Sequence, residues 1–252
     1  VETDWNEAPV WQQSRVIALF PEHTPLDIVL DQLKALTGTE PPVPTTDLLA
    51  DEDWASSWMS HYKPLKMNDN LWVCPSWIAP PDPHAVNVIL DPGMAFGTGD
   101  HPTTALCLEW LAEQNLQGKT MVDYGCGSGI LAIAALKLGA RAATGVDIDP
   151  QALDVSRRNT VLNGVSERFQ AFLPVALPAD ATADIVIANI LAKPLAELAP
   201  HISACVRPGG LLALSGLLRE QVDMVHPYYE KSFAFELRQR GEWILFAGRK
   251  RA

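Results

Sequence analysis

The chain has 252 residues, 48% apolar and 19% charged, enough for one large domain with a smaller partner and too apolar for global disorder. Its net charge of −11 opposes a tight grip on phosphate backbones, so direct DNA binding is not expected, and it favours cationic partners such as a basic protein. The longest apolar stretches, such as Ile185 to Ala192 and Leu211 to Leu214, are too short to cross a bilayer, and no basic-then-apolar leader opens the chain; a cytoplasmic protein without a membrane association is expected.

Residues 1–50 read as part of a small α+β domain. Arg15 to Phe20 reads as a strand, Pro25 to Leu36 as a short amphipathic helix and Gly38 to Pro44 as a Pro-rich connection. These are too few elements to close a core alone, and the domain's first portion is expected to be missing. Residues 51–85 read as a Trp/Pro-rich helical linker. Trp54 and Trp58 share one face of a helix over Asp51 to Tyr62, and Trp72 and Trp77 follow among Pro64, Pro75, Pro80, Pro81 and Pro83. Packing of these aromatics on the next domain is the plain reading. A base-stacking platform is the alternative, disfavoured by the lack of basic residues.

Residues 86–252 alternate strand and helix signals, the pattern of a doubly wound, mostly parallel α/β sheet. Strands are expected at Val86 to Leu90, Thr120 to Tyr124, Ala142 to Val146, Ile185 to Ala188 and Leu211 to Ser215. Helices are expected at Thr103 to Gln114, Ile130 to Leu138, Gln151 to Asn163, Pro194 to Val206 and Arg219 to Tyr229. Phe233 to Gln239 and Trp243 to Arg249 flank Gly241 as an antiparallel hairpin closing the sheet. Cys74, Cys107, Cys126 and Cys205 are widely spaced without zinc-type pairing, which suits a reducing compartment, and no metal site is expected.

A first Gly-rich stretch, Asp91 to Thr104, lacks the Gly-Lys-[Ser/Thr] of a phosphate-binding loop. Asp100 can cap the helix that follows. Three glycines and Phe96 ahead of that helix exceed what capping needs, and a mobile flap over a cofactor is the more economical reading.

The most informative segment is Val122-Asp123-Tyr124-Gly125-Cys126-Gly127-Ser128-Gly129, between a strand and a helix. Its glycines permit a sharp turn and close ligand approach to the helix N-terminus. Asp147, ending the next strand, can accept hydrogen bonds from both hydroxyls of a ribose. An adenosine-containing cofactor fits both features. The dinucleotide fingerprint needs Gly-x-Gly-x-x-Gly, and here Gly129 comes one residue early. Asp123, at the mouth of the loop, would repel a pyrophosphate but suits S-adenosylmethionine, whose methionine part is cationic. Cys126 reads as a small filler rather than a nucleophile.

Asn189-Ile190-Leu191-Ala192 follows the strand ending at Ala188, at the carboxyl edge where open α/β sheets bind ligands. The Asn189 carbonyl could hold an amine N–H while the lone pair faces a methyl group. A local strand-end turn is the bland alternative.

The strand-Asp-Gly-x-Gly-x-Gly segment resembles motif I of class I methyltransferases. Together with Asp53-Trp54, Cys74-Pro75-Ser76-Trp77, Phe96-Gly97-Thr98-Gly99, Asp147-Ile148-Asp149-Pro150 and Asn189-Ile190-Leu191-Ala192, the chain resembles the ribosomal protein L-eleven methyltransferase family over nearly its whole length. The resemblance implies a Rossmann-like catalytic domain and an N-terminal recognition domain joined to it by a linker. It also implies methyl transfer from S-adenosylmethionine to lysine side chains and the N-terminal amine of one ribosomal protein. Thr104, Gly125, Asp147 and Asn189 are the implied cofactor contacts, with Asp123, Gly127, Phe96, Gly97 and Thr98 around them and Asn189 as the catalytic residue. No dedicated base is expected, and His101 is the nearest candidate for one. A methyltransferase for another protein or RNA, a non-catalytic cofactor- or ribosome-binding module, and a dehydrogenase are the competing readings.

Overall fold

The computed structural model describes residues 17–18, 20–47, 62–91 and 99–251. The chain divides into two compact units, Val1–Met59 and Ser60–Ala252. In the first, helix α1 (Leu26–Thr37) lies one residue from its expected place and ends where Gly38 enters the left-handed region at φ 68°. The Gly38 N–H donates to Lys34 O at 2.9 Å, closing the last turn. Ile17, Ala18 and Phe20 carry no strand; the rest of the strand expected at Arg15 to Phe20, with most of the helix expected at Asp51 to Tyr62, lies outside the described residues.

The second unit begins well before residue 86. Three short strands, β1 (Leu65–Asn68), β2 (Leu71–Cys74) and β3 (Val86–Ile89), form a separate small sheet in that order, antiparallel then parallel. This corrects two expectations. The described part of residues 51–85 is strand and turn rather than helix, and Val86 to Leu90 is not part of the main sheet. The cause is burial: Met67, Leu71, Val73, Val88 and Leu90 enter the same core as Leu108, Leu111, Ile130 and Ile133. At the outer edge of β3 the Asn163 carboxamide stands in for a strand. Its Oδ1 accepts the Ile89 N–H at 2.8 Å and its Nδ2 donates to Ile89 O at 2.7 Å.

The main sheet follows helix α2 (Pro102–Ala112). Its elements are β4 (Thr120–Tyr124), α3 (Ile130–Lys137), β5 (Ala142–Val146), α4 (Pro150–Leu162), β6 (Phe169–Phe172), β7 (Ala183–Asn189), α5 (Ala192–Glu197), α6 (Ala199–Ala204), β8 (Val206–Leu218), α7 (Val222–Val225), β9 (Phe233–Arg240) and β10 (Trp243–Lys250). The strand order is β6-β5-β4-β7-β8-β10-β9. The first five are parallel, and β10 runs antiparallel between β8 and β9. Both faces are covered. Met121, Ile185 and Ile187 point to one core, while their neighbours Val122, Tyr124, Val186 and Ala188 point to the other.

Two expected helices are broken. Leu198 ends α5 and caps α6, because Pro200 in the first turn of α6 has no N–H to continue the helix. Arg219 to Tyr229 becomes one short α segment between 3-10 turns, the second of which contains Pro227. For function, the winding is what counts. The chain runs from β4 outward to β5 and β6, then returns to β7 on the other side of β4. The loops after β4 and β7 therefore diverge around a crevice at the carboxyl edge.

Candidate active site

The loop after β4 is built by backbone geometry. Gly125, Gly127 and Gly129 all have positive φ, at 82°, 52° and 79°, conformations costly for residues carrying a Cβ. The N–H groups of Gly125 and Cys126 both donate to Val146 O, at 2.7 and 3.0 Å, tying the loop to the end of β5. The Asn159 side chain holds Ser128 O at 2.8 Å from α4.

Asp147, just past β5, is half-buried and already oriented. Its Oδ2 accepts the Gly127 N–H at 2.9 Å and its Oδ1 accepts the Asp149 N–H at 3.0 Å. Each oxygen keeps acceptor capacity for a further donor. Asp149 in turn caps α4 through the Gln151 N–H at 2.8 Å.

Asp123 is not at an open mouth, as expected from its place before the loop, but fully buried at 0% exposure. It alternates with Val122 and Tyr124 and so points with Met121 beneath the first turn of α3, where its Oδ2 accepts the Ala132 N–H at 3.2 Å. Among the described residues its Oδ1 has no hydrogen-bond partner. Burial pushes the carboxyl up to about 7, the Ala132 N–H works against this, and the negative charge of Asp147 adds to it. A buried acceptor without a donor, beside a glycine loop, is the chemical complement of an ammonium, so the residues fit the methionine end of S-adenosylmethionine.

The structure brings Asn189 and Thr104 together. Asn189 ends β7, Thr104 is buried in the first turn of α2, and Asn189 Nδ2 donates to Thr104 Oγ1 at 3.3 Å. Asn189 Oδ1 accepts no hydrogen bond among the described residues. Phe96, Gly97 and Thr98, and with them the expected flap, lie outside the described residues. The cap of α2 is His101 rather than Asp100: Pro102 occupies the first helical position, so the residue before it caps. The His101 Nδ1 sits 2.8 Å from Thr103 Oγ1, and its ring meets Trp243 edge-on at 4.7 Å. Burial pushes the Cys126 thiol well up, which fits a filler and not a nucleophile.

One feature of the site went unread in the sequence: Ile190, immediately after Asn189, packs against two glycines. A Cβ on Gly125 would collide with Ile190 Cγ2, and a Cβ on Gly216, in β8, would collide with the Ile190 backbone. The available signal was Gly216 itself, which interrupts the apolar run of β8.

The family model described as ribosomal protein L11 methyltransferase (PrmA) matches residues 1–251. The chain belongs to the ribosomal protein L11 methyltransferase family. The Pseudomonas paraeruginosa ribosomal protein L11 methyltransferase is 51% identical over 253 residues, covering 100% of this chain and 86% of that protein. The Azotobacter vinelandii protein of the same name is 49% identical, covering 99% of this chain and 86% of its own. The crystal structure of the ribosomal protein L11 methylase from Lactobacillus delbrueckii subsp. bulgaricus is similar with a TM-score of 0.69 at 30% identity, over 76% of this chain and 100% of that one. As a member of this family the chain is a methyltransferase dependent on S-adenosylmethionine, and its seven-stranded sheet is the Rossmann-like sheet of class I methyltransferases. Among the described residues no helix is long and apolar enough to cross a membrane.

Proposed function

We propose that this chain transfers methyl groups from S-adenosylmethionine to amino groups of ribosomal protein L11, the lysine side chains and the N-terminal amine. The observation that carries the reading is the Asn189–Thr104 pair, which holds the Asn189 amide by its nitrogen at 3.3 Å and, among the described residues, leaves its oxygen without a hydrogen-bond partner.

Bound S-adenosylmethionine supplies an electrophilic methyl group on a sulfonium. Asp147 accepts the two ribose hydroxyls, with Gly127 keeping the carboxylate aimed. Asp123, buried beneath the loop, would favour the ammonium through its negative charge. Thr104, Gly125 and Asn189 line the remaining contact, and Phe96, Gly97 and Thr98 are assigned to the cofactor side of the site. Asn189 Oδ1 accepts one N–H of the incoming amine and turns its lone pair toward the methyl, which is the alignment an in-line displacement requires. A lysine amine with an ordinary pKa near ~10.4 must lose a proton first, and a neighbouring sulfonium lowers that value. The proton leaves to water; His101 is a cap. The −11 charge of the chain supports attraction of a basic protein substrate. Residues 1–50 are assigned to substrate recognition and 86–252 to catalysis, with β1 and β2 of the intervening 51–85 segment built into the same compact unit as the catalytic sheet.

Incubating ribosomal protein L11 with the chain and isotopically labelled cofactor tests this. Mass spectrometry should find labelled methyl groups on lysine side chains and the N-terminal amine; label on other residue types would overturn the assignment of the acceptor.

A further inference from the structure

We infer that Gly216 is a positioning residue for methyl transfer, seating the Ile190 backbone directly after Asn189 so that the Asn189 side-chain carbonyl meets the amine. The inference rests on the role given to Asn189 above. Gly216 lies in a bulge of β8. Leu217 pairs with Ile244 and Leu214 with Phe246, so Ser215 and Gly216 together oppose Leu245 on β10. Its φ is 88°, and Ser215, fully buried beside it, anchors the bulge by donating to Ile244 O at 3.0 Å.

The bulge turns the β8 backbone against β7. Asn189 pairs with Ser215 as the last register position of the parallel β7–β8 pair, and the next residue of each strand meets across it. A Cβ on Gly216 would lie 2.7 Å from the Ile190 carbonyl carbon, 3.0 Å from its nitrogen, and closer still to its oxygen. These are backbone atoms that no rotamer change can move. The Ile190 peptide would have to retreat by roughly 1 Å to regain van der Waals distance, carrying Asn189 with it. Retreat is also opposed at the side chain, where the Ile190 Cγ2 fills the space that a side chain at Gly125 would need. Ile190 is thus held between Gly125 in the loop after β4 and Gly216 in β8, while Thr104 holds the Asn189 amide from a third element. The bulge aims the carbonyl; Thr104 fixes its rotation.

Misplacement of about 1 Å in a reacting pair costs on the order of 100-fold in rate. Gly216→Ala should therefore lower kcat roughly 10- to 100-fold while the cofactor Kd, measured by calorimetry, stays within about threefold. In an Asn189→Ala background the same substitution should add no further loss, since the carbonyl it misplaces is gone. If Gly216→Ala alone does not fold, Ile190→Ala removes the Cγ2 that blocks retreat. The double variant Ile190→Ala with Gly216→Ala should then fold and turn over roughly 10- to 100-fold more slowly than Ile190→Ala alone, with the cofactor Kd of the two within about threefold. A Gly216→Ala loss that adds fully to the Asn189→Ala loss, a wild-type kcat in Gly216→Ala, or equal kcat for Ile190→Ala with and without Gly216→Ala overturns the inference. Full turnover by Asn189→Ala itself would instead remove the role proposed for Asn189.

Discussion

The side-chain nitrogen of Asn189 donates to Thr104 Oγ1 at 3.3 Å, joining the carboxyl end of β7 to the first turn of α2. In this arrangement the amide nitrogen is the end of the carboxamide that Thr104 holds. With nitrogen held and its oxygen without a partner among the described residues, Asn189 can accept an N–H, which suits an amine better than an ionised carboxylate, which has no proton to donate.

Asn189→Ala should lower turnover by about 100-fold, an orientation effect, with a smaller loss of cofactor affinity. Thr104→Val, which keeps shape but removes the hydroxyl, should give a milder loss, on the scale of one net hydrogen bond at about 1 kcal/mol, or about fivefold. Steady-state kinetics beside calorimetry separates the two quantities. Equal losses in kcat and affinity would make Asn189 a binding residue only.

Asp147→Ala should act on the cofactor instead. Two hydrogen bonds to a charged acceptor are worth about 1.5 kcal/mol or more each, so affinity should fall on the order of 100-fold. Loss of the Gly127 N–H partner should loosen the loop as well. Titration calorimetry checks this, and near-unchanged affinity would remove Asp147 from the ribose site.

Asp123 links the site to pH. An ordinary carboxyl near 3.8 is pushed up to about 7 here, chiefly by burial. The unfolded chain sheds this proton first, so the native state holds the extra proton between about 4 and about 7. The corresponding stability is full at the low end and is lost as pH rises through about 7. Chemical denaturation of the cofactor-free chain across that window should show the decline, and Asp123→Asn should flatten it. Below pH 7 cofactor binding should release a proton, because an ammonium favours the ionised carboxylate. The same pH slope in chain and variant would contradict the assignment.

Asp184 provides a contrast at the opposite edge of the sheet. It is nearly buried at 8% exposure, accepts the Thr120 N–H at 2.8 Å and hydroxyl at 3.1 Å, and pairs with Arg207 and, at 3.6 Å, Lys119. Asp184→Ala strands these donors and should cost about 2–4 kcal/mol of stability. Turnover per folded molecule should stay near that of the natural chain, as denaturant titration and kinetics on the same samples would show. A kcat loss at full stability would mean that the two edges are coupled.

Much of the main sheet and the cofactor loop could be read directly, because the signals there are local. Val122 and Tyr124 alternate with Met121 and Asp123, glycines mark the turn after β4, and Gly241 marks the hairpin. What stayed hidden depends on partners distant in sequence. Leu65–Asn68 and Leu71–Cys74 are four-residue strands in a Trp/Pro-rich setting, and Phe169–Phe172 is equally short; each is a strand because of the neighbour it pairs with. Asp123 was legible as a carboxylate at the loop, but its burial follows from which face of β4 meets α3. Gly216 was visible only as a glycine in an apolar run, and the close approach it permits is to the backbone of Ile190, one residue past β7.

The central claim is that the crevice between the β4 and β7 loops transfers methyl groups to amines of ribosomal protein L11. The most direct measurement is intact-protein and peptide mass spectrometry of purified L11 after incubation with S-adenosylmethionine and either the natural chain or Asn189→Ala. Mass gains in methyl steps are expected on lysine and N-terminal amines with the natural chain, and strongly slowed gains with the variant. No methylation of L11 by a chain shown to bind the cofactor, or undiminished methylation by Asn189→Ala, would contradict that claim.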